Sequence, residues 1–161
     1  MRIAVLSDTH LPVRIHSLPG VVYETCADSD LIIHAGDIED RSVIEDLRRM
    51  APIKAVHGNM DGFDTSNLYP DRLILELEGY KVGVTHGSGG STGIRSRISN
   101  LFITHKPDII IHGHTHEYFW KKENGTWFLN PGAIANPRGR RSMAILTLNG
   151  GEEPHAEMIP V

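Results

Sequence analysis

Apolar residues in this chain fall into short aliphatic runs, and each run breaks off at an abrupt Asp, Asn or His. Residues 3–6 (IAVL), 31–33 (LII), 53–56 (IKAV) and 109–111 (III) are too short for helices and have the look of strands buried on both faces. Between the first three runs, residues 18–27 can form a short helix. Residues 40–50 place Val43, Ile44 and Leu47 at helical spacing, with Glu45, Asp46, Arg48 and Arg49 on the other side, until Pro52 stops them. This β-α-β-α-β order predicts parallel strands with right-handed crossovers. It therefore puts Asp8-Thr9-His10, Gly36-Asp37 and Gly58-Asn59 on the same edge of one sheet.

The rhythm changes after that. Residues 59–70 read as a polar loop, and residues 73–77 and 82–84 as a hairpin about Glu78-Gly79-Tyr80. His86-Gly87-Ser88-Gly89-Gly90 opens a flexible loop, followed by a helix over 92–104 with Ile94, Ile98 and Leu101 inward. The run at 109–111 leads into His112-Gly113-His114-Thr115-His116, where Gly113 lets the backbone leave the strand sharply. Asn124-Gly125 marks a second hairpin, between 118–120 and 127–129. Residues 143–148 and 155–159 form a closing strand pair. The expected fold class is α/β, one domain over 1–161, parallel in its first part and mostly antiparallel in its second.

Composition narrows the function only slightly. At 161 residues the chain can bury a sizeable core, and a net charge of -4 argues against a general nucleic-acid or anionic-membrane binder. The apolar start meets Ser7-Asp8 too early for a signal segment, and no run approaches a membrane span. Cys26 is the only cysteine, which excludes an intrachain disulfide and fits a reducing compartment. A cytoplasmic location is expected.

Ten histidines are the unusual feature. Collecting the strand-end residues gives Asp8, His10, Asp37, Asn59, His86, His114 and His116: two carboxylates, one amide and four imidazoles, with no thiolate. Such a set suits borderline divalent ions, Mn first and then Ni, Fe, Co or Zn, better than Ca or Mg. Seven ligands fit two ions if one carboxylate bridges them. In two-metal sites the ions sit roughly 3.5–4 Å apart and clamp the attacking and leaving oxygens of a phosphoryl centre.

Asp-x-His, Gly-Asp, Gly-Asn, a single His-Gly and then Gly-His-Thr-His, in that order, resemble the calcineurin-like metallophosphoesterases over nearly the whole chain. The likeness is closest to the small branch that holds bacterial and archaeal phosphodiesterases and a retromer subunit. It implies two facing β-sheets flanked by helices, a four-layer αββα sandwich. It also implies that one metal takes Asp8, His10, Asp37 and His116. The other takes Asp37, Asn59, His86 and His114, with Asp37 as the bridge. Many family members carry Gly-Asn-His at the third motif, where the His assists the departing oxygen. Here Met60 follows Asn59, and a thioether can neither donate a proton nor carry charge. Leaving groups that depart easily are therefore favoured, since a positioned acid contributes about 10²–10⁴ in rate.

Other residues admit two readings. His34, His57 and His112 lie beside proposed ligands, either orienting them or serving as half-buried strand histidines. Asp40 and Asp61 also sit near ligands, and Asp40 is equally a helix N-cap. Arg138, Arg140 and Arg141 can grip phosphate or form a solvated basic loop. The glycines of 87–93 can cradle phosphate or merely let the chain pass close to His86. Tyr118, Phe119, Trp120, Trp127 and Phe128 read as a packed hairpin rather than a base-stacking platform.

The expectation is a binuclear metal-dependent phosphodiesterase acting by in-line attack of a metal-bridging hydroxide. Its catalytic residues would be Asp37, Asn59 and His114, and its substrate a small phosphodiester rather than nucleic acid. A homo-oligomer is compatible with it. The rival is a non-catalytic scaffold of the same fold that works through protein partners. A nuclease would need a basic groove beside the metals.

Overall fold

Side chains alternate across a strand, so an unbroken aliphatic run offers two apolar faces and must be covered on both. In a computed structural model, which describes every residue except 138, the first such run is β1 (Arg2–Leu6). Its Ile3 and Val5 enter a core between two sheets, while Ala4 and Leu6 enter a second core under helices. The next strand, β2 (Leu31–His34), divides in the same way: Leu31 and Ile33 to the first core, Ile32 to the second.

Helices α1 (Gly20–Ala27) and α2 (Ser42–Leu47) supply Val22, Cys26, Val43, Ile44 and Leu47 to that outer core. The expected helix over 40–50 is cut short at Leu47. Met50 N–H reaches back only to Leu47 O, a tight last turn before Pro52. With β3 (Ile53–Ala55), the parallel order β1, β2, β3 is complete, as the β-α-β-α-β pattern predicts. The expected loop 59–70 contains a helix, α3 (Phe63–Leu68). Only Thr65 of that helix is buried, so it has no apolar stripe for a sequence pattern to reveal.

The second sheet begins with the predicted hairpin, β4 (Arg72–Leu77) and β5 (Tyr80–Thr85). After α4 (Ile94–Leu101) come β6 (Ile109–Ile111) and the hairpin of β7 (Tyr118–Glu123) and β8 (Thr126–Pro131). Its order is β4-β5-β6-β8-β7, evenly mixed, because β6 runs parallel to both β5 and β8. The chain then returns to the first sheet with β9 (Ser142–Thr147), antiparallel to β1, and β10 (His155–Pro160), giving the order β10-β9-β1-β2-β3.

Val82, Val84, Ile109, Ile111 and Leu129 meet Ile3, Val5 and Ile33 in the seam between the sheets. Fully burying each such side chain contributes about 1.5–3 kcal/mol relative to exposure, which holds the sheets face to face. On the far side, α4 packs Ile94 and Ile98, with the adjoining Phe102, on Ile110 and Phe128. The layers are therefore helix, sheet, sheet, helix. The hairpin aromatics are packed: the Trp120 and Trp127 rings stack at 4.4 Å. Among the described residues, no helix is long and apolar enough to cross a membrane.

Candidate metal centre

Parallel strands deliver their C-terminal ends to one edge, and here two sheets do so at the same place. Asp8 and His10 follow β1, Asp37 follows β2, His86 follows β5, and His114 and His116 follow β6. The loops are laced together by backbone bonds: Asp8 N–H to Gly36 O at 3.0 Å, His10 N–H to Asp37 O at 3.1 Å, and Gly113 N–H to His86 O at 3.1 Å. His114 N–H then donates across the two sheets to Asp8 Oδ2 at 3.2 Å.

The close approach is demanding on the backbone. Asp8, His10, Asp37, Glu39, His114 and His116 all have φ between 44° and 73°, the left-handed region that non-glycine residues seldom occupy. Such strain persists only where the surroundings over-determine it, and it clusters at functional sites. Gly58 is needed for contact rather than for φ, because a Cβ there would overlap the Asp37 side chain and backbone.

Five of the seven predicted residues converge tightly. Asp8 Oδ1 lies 3.0 Å from His116 Nε2, 3.8 Å from His10 Nε2 and 4.0 Å from His86 Nε2. Asp37 Oδ2 lies 3.3 Å from His86 Nε2 and 3.6 Å from His10 Nε2, so it stands between the two rings. Two overlapping sets result: Asp8, His10 and His116, and Asp8, Asp37 and His86. Asp8 Oδ1, His10 Nε2 and His86 Nε2 are buried without a hydrogen-bond partner. Leaving such groups unsatisfied costs about 1–3 kcal/mol each. Donor atoms bound at about 2.0–2.2 Å to one ion lie about 3–3.5 Å apart, close to most of these separations. The donor set thus fits divalent cations.

The remaining two, Asn59 and His114, stand beside this cluster. They meet each other at 2.9 Å, Asn59 Oδ1 to His114 Nδ1, while His114 Nε2 meets Gly89 O at 2.7 Å. The His114 ring is 5.2 Å from that of His86.

Electrostatics follow from burial among opposite charges. Burial acts to raise the Asp8 pKa, but His10, His116 and His86 outweigh it and hold the carboxyl well below the usual range. Asp37 is lowered too, its burial being overcome by His86 and the Met60 N–H. His10 and His86 are raised: burial opposes this, but Asp8 and Glu39 act on His10, and Asp37 and Asp8 on His86. Burial drives His34 and His112 the other way, each down to about 4, and keeps them neutral.

Two residues take supporting roles that only the folded chain reveals. Glu39 Oε1 is 2.6 Å from His10 Nδ1, fixing the ring so that Nε2 faces the cluster. Asp61 accepts the N–H groups of Ile38, Glu39 and Gly58, at 2.8, 2.6 and 2.7 Å, and so ties the loop after β2 to the loop after β3. Its place two positions after Asn59 was the one available signal. Ala35 O meets His86 Nδ1 at 2.8 Å and does for that ring what Glu39 does for His10.

His34 is a brace: its Nε2 meets Thr9 Oγ1 at 3.2 Å and its Nδ1 accepts the Gly36 N–H. His112 is buried, with Nδ1 on Gly113 O and Nε2 without a partner. His57 Nδ1 meets Gly58 O at 3.3 Å. Asp40 accepts the Ser42 N–H at the start of α2. In the 87–93 loop, Arg97 takes the carbonyls of Ser88, Gly90 and Thr92, so it is held by its oxygens. Arg141 donates to Ile134 O, Arg140 is exposed, and Arg138 lies outside the described residues.

The family model described as the calcineurin-like phosphoesterase superfamily domain matches residues 1–151. A protein of Methanothermobacter thermautotrophicus named a probable metallophosphoesterase is 34% identical over 162 residues, spanning 99% of this chain and 92% of its own. A solved structure described as a novel archaeal phosphodiesterase superposes with a TM-score of 0.78 at 25% identity, covering 100% of both chains. The zinc complex of Vps29 from Entamoeba histolytica gives a TM-score of 0.80 at 23% identity, covering 99% of each chain, a likeness of fold.

Proposed function

The chain belongs to the calcineurin-like phosphoesterase superfamily, and from that premise we propose that it is a binuclear metal-dependent phosphodiesterase. The observation that carries this is the set of buried, unpartnered ligand atoms, Asp8 Oδ1, His10 Nε2 and His86 Nε2, gathered around Asp37 Oδ2. One ion would be held by Asp8, His10, His116 and Asp37. The other would be held by Asp37, His86, Asn59 and His114.

The Asn59–His114 contact supports the second set. Asn59 Oδ1 and His114 Nδ1 stand 2.9 Å apart, a separation that two ligand atoms of one cation can keep. When bound, the cations supply positive charge for the phosphoryl oxygens and acidify water enough for attack near neutral pH.

The chain's own residues set the geometry. Glu39 and Ala35 O hold the His10 and His86 rings so that each offers Nε2. The Met60 N–H fixes Asp37 through Oδ1, at 2.8 Å, leaving Oδ2 for sharing. Asn59 and His114 would help hold the second ion, and Asp37, whose Oδ2 stands between the His10 and His86 rings, would be shared by both. Met60 supplies no proton to the departing oxygen, so activated diesters are the preferred small substrates.

The test is turnover of bis(p-nitrophenyl) phosphate with added Mn, comparing wild type with Asp37→Ala. Metal-dependent release of p-nitrophenol that falls to background in the variant supports an enzyme. Tight metal binding with no turnover supports the second reading, a scaffold that retains the site but acts through protein partners. Met60, at a position where proton donation would be expected, is the feature that favours it.

A further inference from the structure

A groove of about 860 Å³ opens beside His116, within the size range of small-molecule sites. Arg14 and Arg140 stand on its walls with Tyr118 and Met158, and Glu117 is its one acidic residue. Most of the other arginines are engaged. Arg2, Arg41, Arg49 and Arg95 pair with carboxylates, and Arg97 and Arg141 donate to backbone carbonyls. Among the described residues, the Arg14, Arg48 and Arg140 guanidinium groups have neither kind of partner, and of these Arg14 and Arg140 share one groove, in a chain of net charge -4. The groove also adjoins the metal centre directly: His116 lines it, and Arg14 is near enough for its charge to act on His10.

We propose that this groove receives the second arm of the substrate and that the arm ends in a phosphate gripped by Arg14 and Arg140. A guanidinium fork matches phosphate oxygens bidentately, and the Tyr118 and Met158 side chains offer apolar surface to a ring between the two phosphates. The substrate class is then a small phosphodiester bearing a further terminal phosphate, such as a phosphorylated dinucleotide. This rests on the phosphodiesterase assignment above, and the test separates the two.

The matched substrates are the dinucleoside monophosphate ApA and its phosphorylated forms pApA and ApAp, with the Mn-loaded protein. Wild type is expected to prefer one phosphorylated form, and the ratio of its kcat/KM to that of ApA should fall by about tenfold or more in the Arg14→Gln/Arg140→Gln variant. Equal treatment of all three by wild type, or an unchanged ratio in the variant, would overturn the proposal. A readout independent of turnover uses the zinc-loaded, ¹⁵N-labelled protein titrated with adenosine 3′,5′-bisphosphate, which has no diester to cleave. Saturable shifts of the Arg14 and Arg140 Nε–H resonances support the groove even if no diester is hydrolysed. Resonances that stay fixed exclude it even if bis(p-nitrophenyl) phosphate is turned over.

Discussion

Replacing Glu39 removes a negative charge from the back of the His10 ring while leaving every proposed ligand in place. Its Oε1 lies 2.6 Å from His10 Nδ1, the shortest bond to any imidazole in the site. The side chain is only 12% exposed, so solvent screens this contact weakly. Partners of metal-ligating histidines typically contribute about 10–100-fold to metal affinity, or about 1.4–2.7 kcal/mol. Glu39→Gln keeps an acceptor for the Nδ1–H but loses the charge, and should fall at the low end. Glu39→Ala also frees the ring to take the other tautomer, and should fall at the high end. The backbone at this position is held independently, by Asp61 on its N–H and Thr65 on its carbonyl, so circular dichroism should show both variants folded. Calorimetric titration with Mn measures the affinity. Three proteins with the same affinity would refute the view that Glu39 orients a ligand.

Asp61→Asn should cost about 2–4 kcal/mol in urea unfolding, because an amide turned to accept from Ile38 and Glu39 presents its NH₂ to the Gly58 N–H; a loss under 1 kcal/mol would contradict this. Met60→His should raise kcat for a dialkyl phosphodiester more than for an aryl one, by up to about 10². Equal gains, or none, would show that leaving-group protonation is not what this position lacks. Stability of the metal-free chain should fall as pH drops from about 6.5 to 4. His34 and His112 bind no proton in the folded state until pH is about 4, whereas the unfolded chain takes them up at about 6.5. Their contribution, on the order of a few kcal/mol each, is fully present above pH 6.5 and is lost on the way down. His10 and His86, raised instead, contribute fully throughout that window and do not offset the loss. A urea midpoint that stays level between pH 7 and 4.5 would contradict the neutral burial of these rings.

The strand ends could be read from the sequence because an aliphatic run and the polar residue that stops it are neighbours in the chain. Asp8, Asp37 and His86 each follow such a run; parallel pairing carries Asp8 and Asp37 to one edge of the first sheet, and His86 to the matching edge of the second beside the end of β6. What the chain does not advertise is the contact between residues far apart along it. Glu39 looks like ordinary acidic punctuation before α2, and only the fold sets it behind His10, 29 positions away. Asp61 is marked in the sequence only by its nearness to Asn59, and nothing there shows that it gathers three backbone donors from two loops. Helix α3 carries no sequence signature, because Phe63 is 81% exposed and no apolar stripe marks the segment. The parallel partnership of β6 with β5 and β8 was equally hidden, since alternation within a strand says which faces are apolar and nothing about its neighbours.

Whether the polar tips of the two sheets share a pair of cations is decided by anomalous scattering at the Mn edge, from a crystal grown with that ion. Two peaks roughly 3.5–4 Å apart are expected, one among Asp8, His10 and His116 and one beside His86, Asn59 and His114, with Asp37 between them. An anomalous map with no peak at this cluster, or with a single ion that leaves Asp37 unshared, would contradict that expectation.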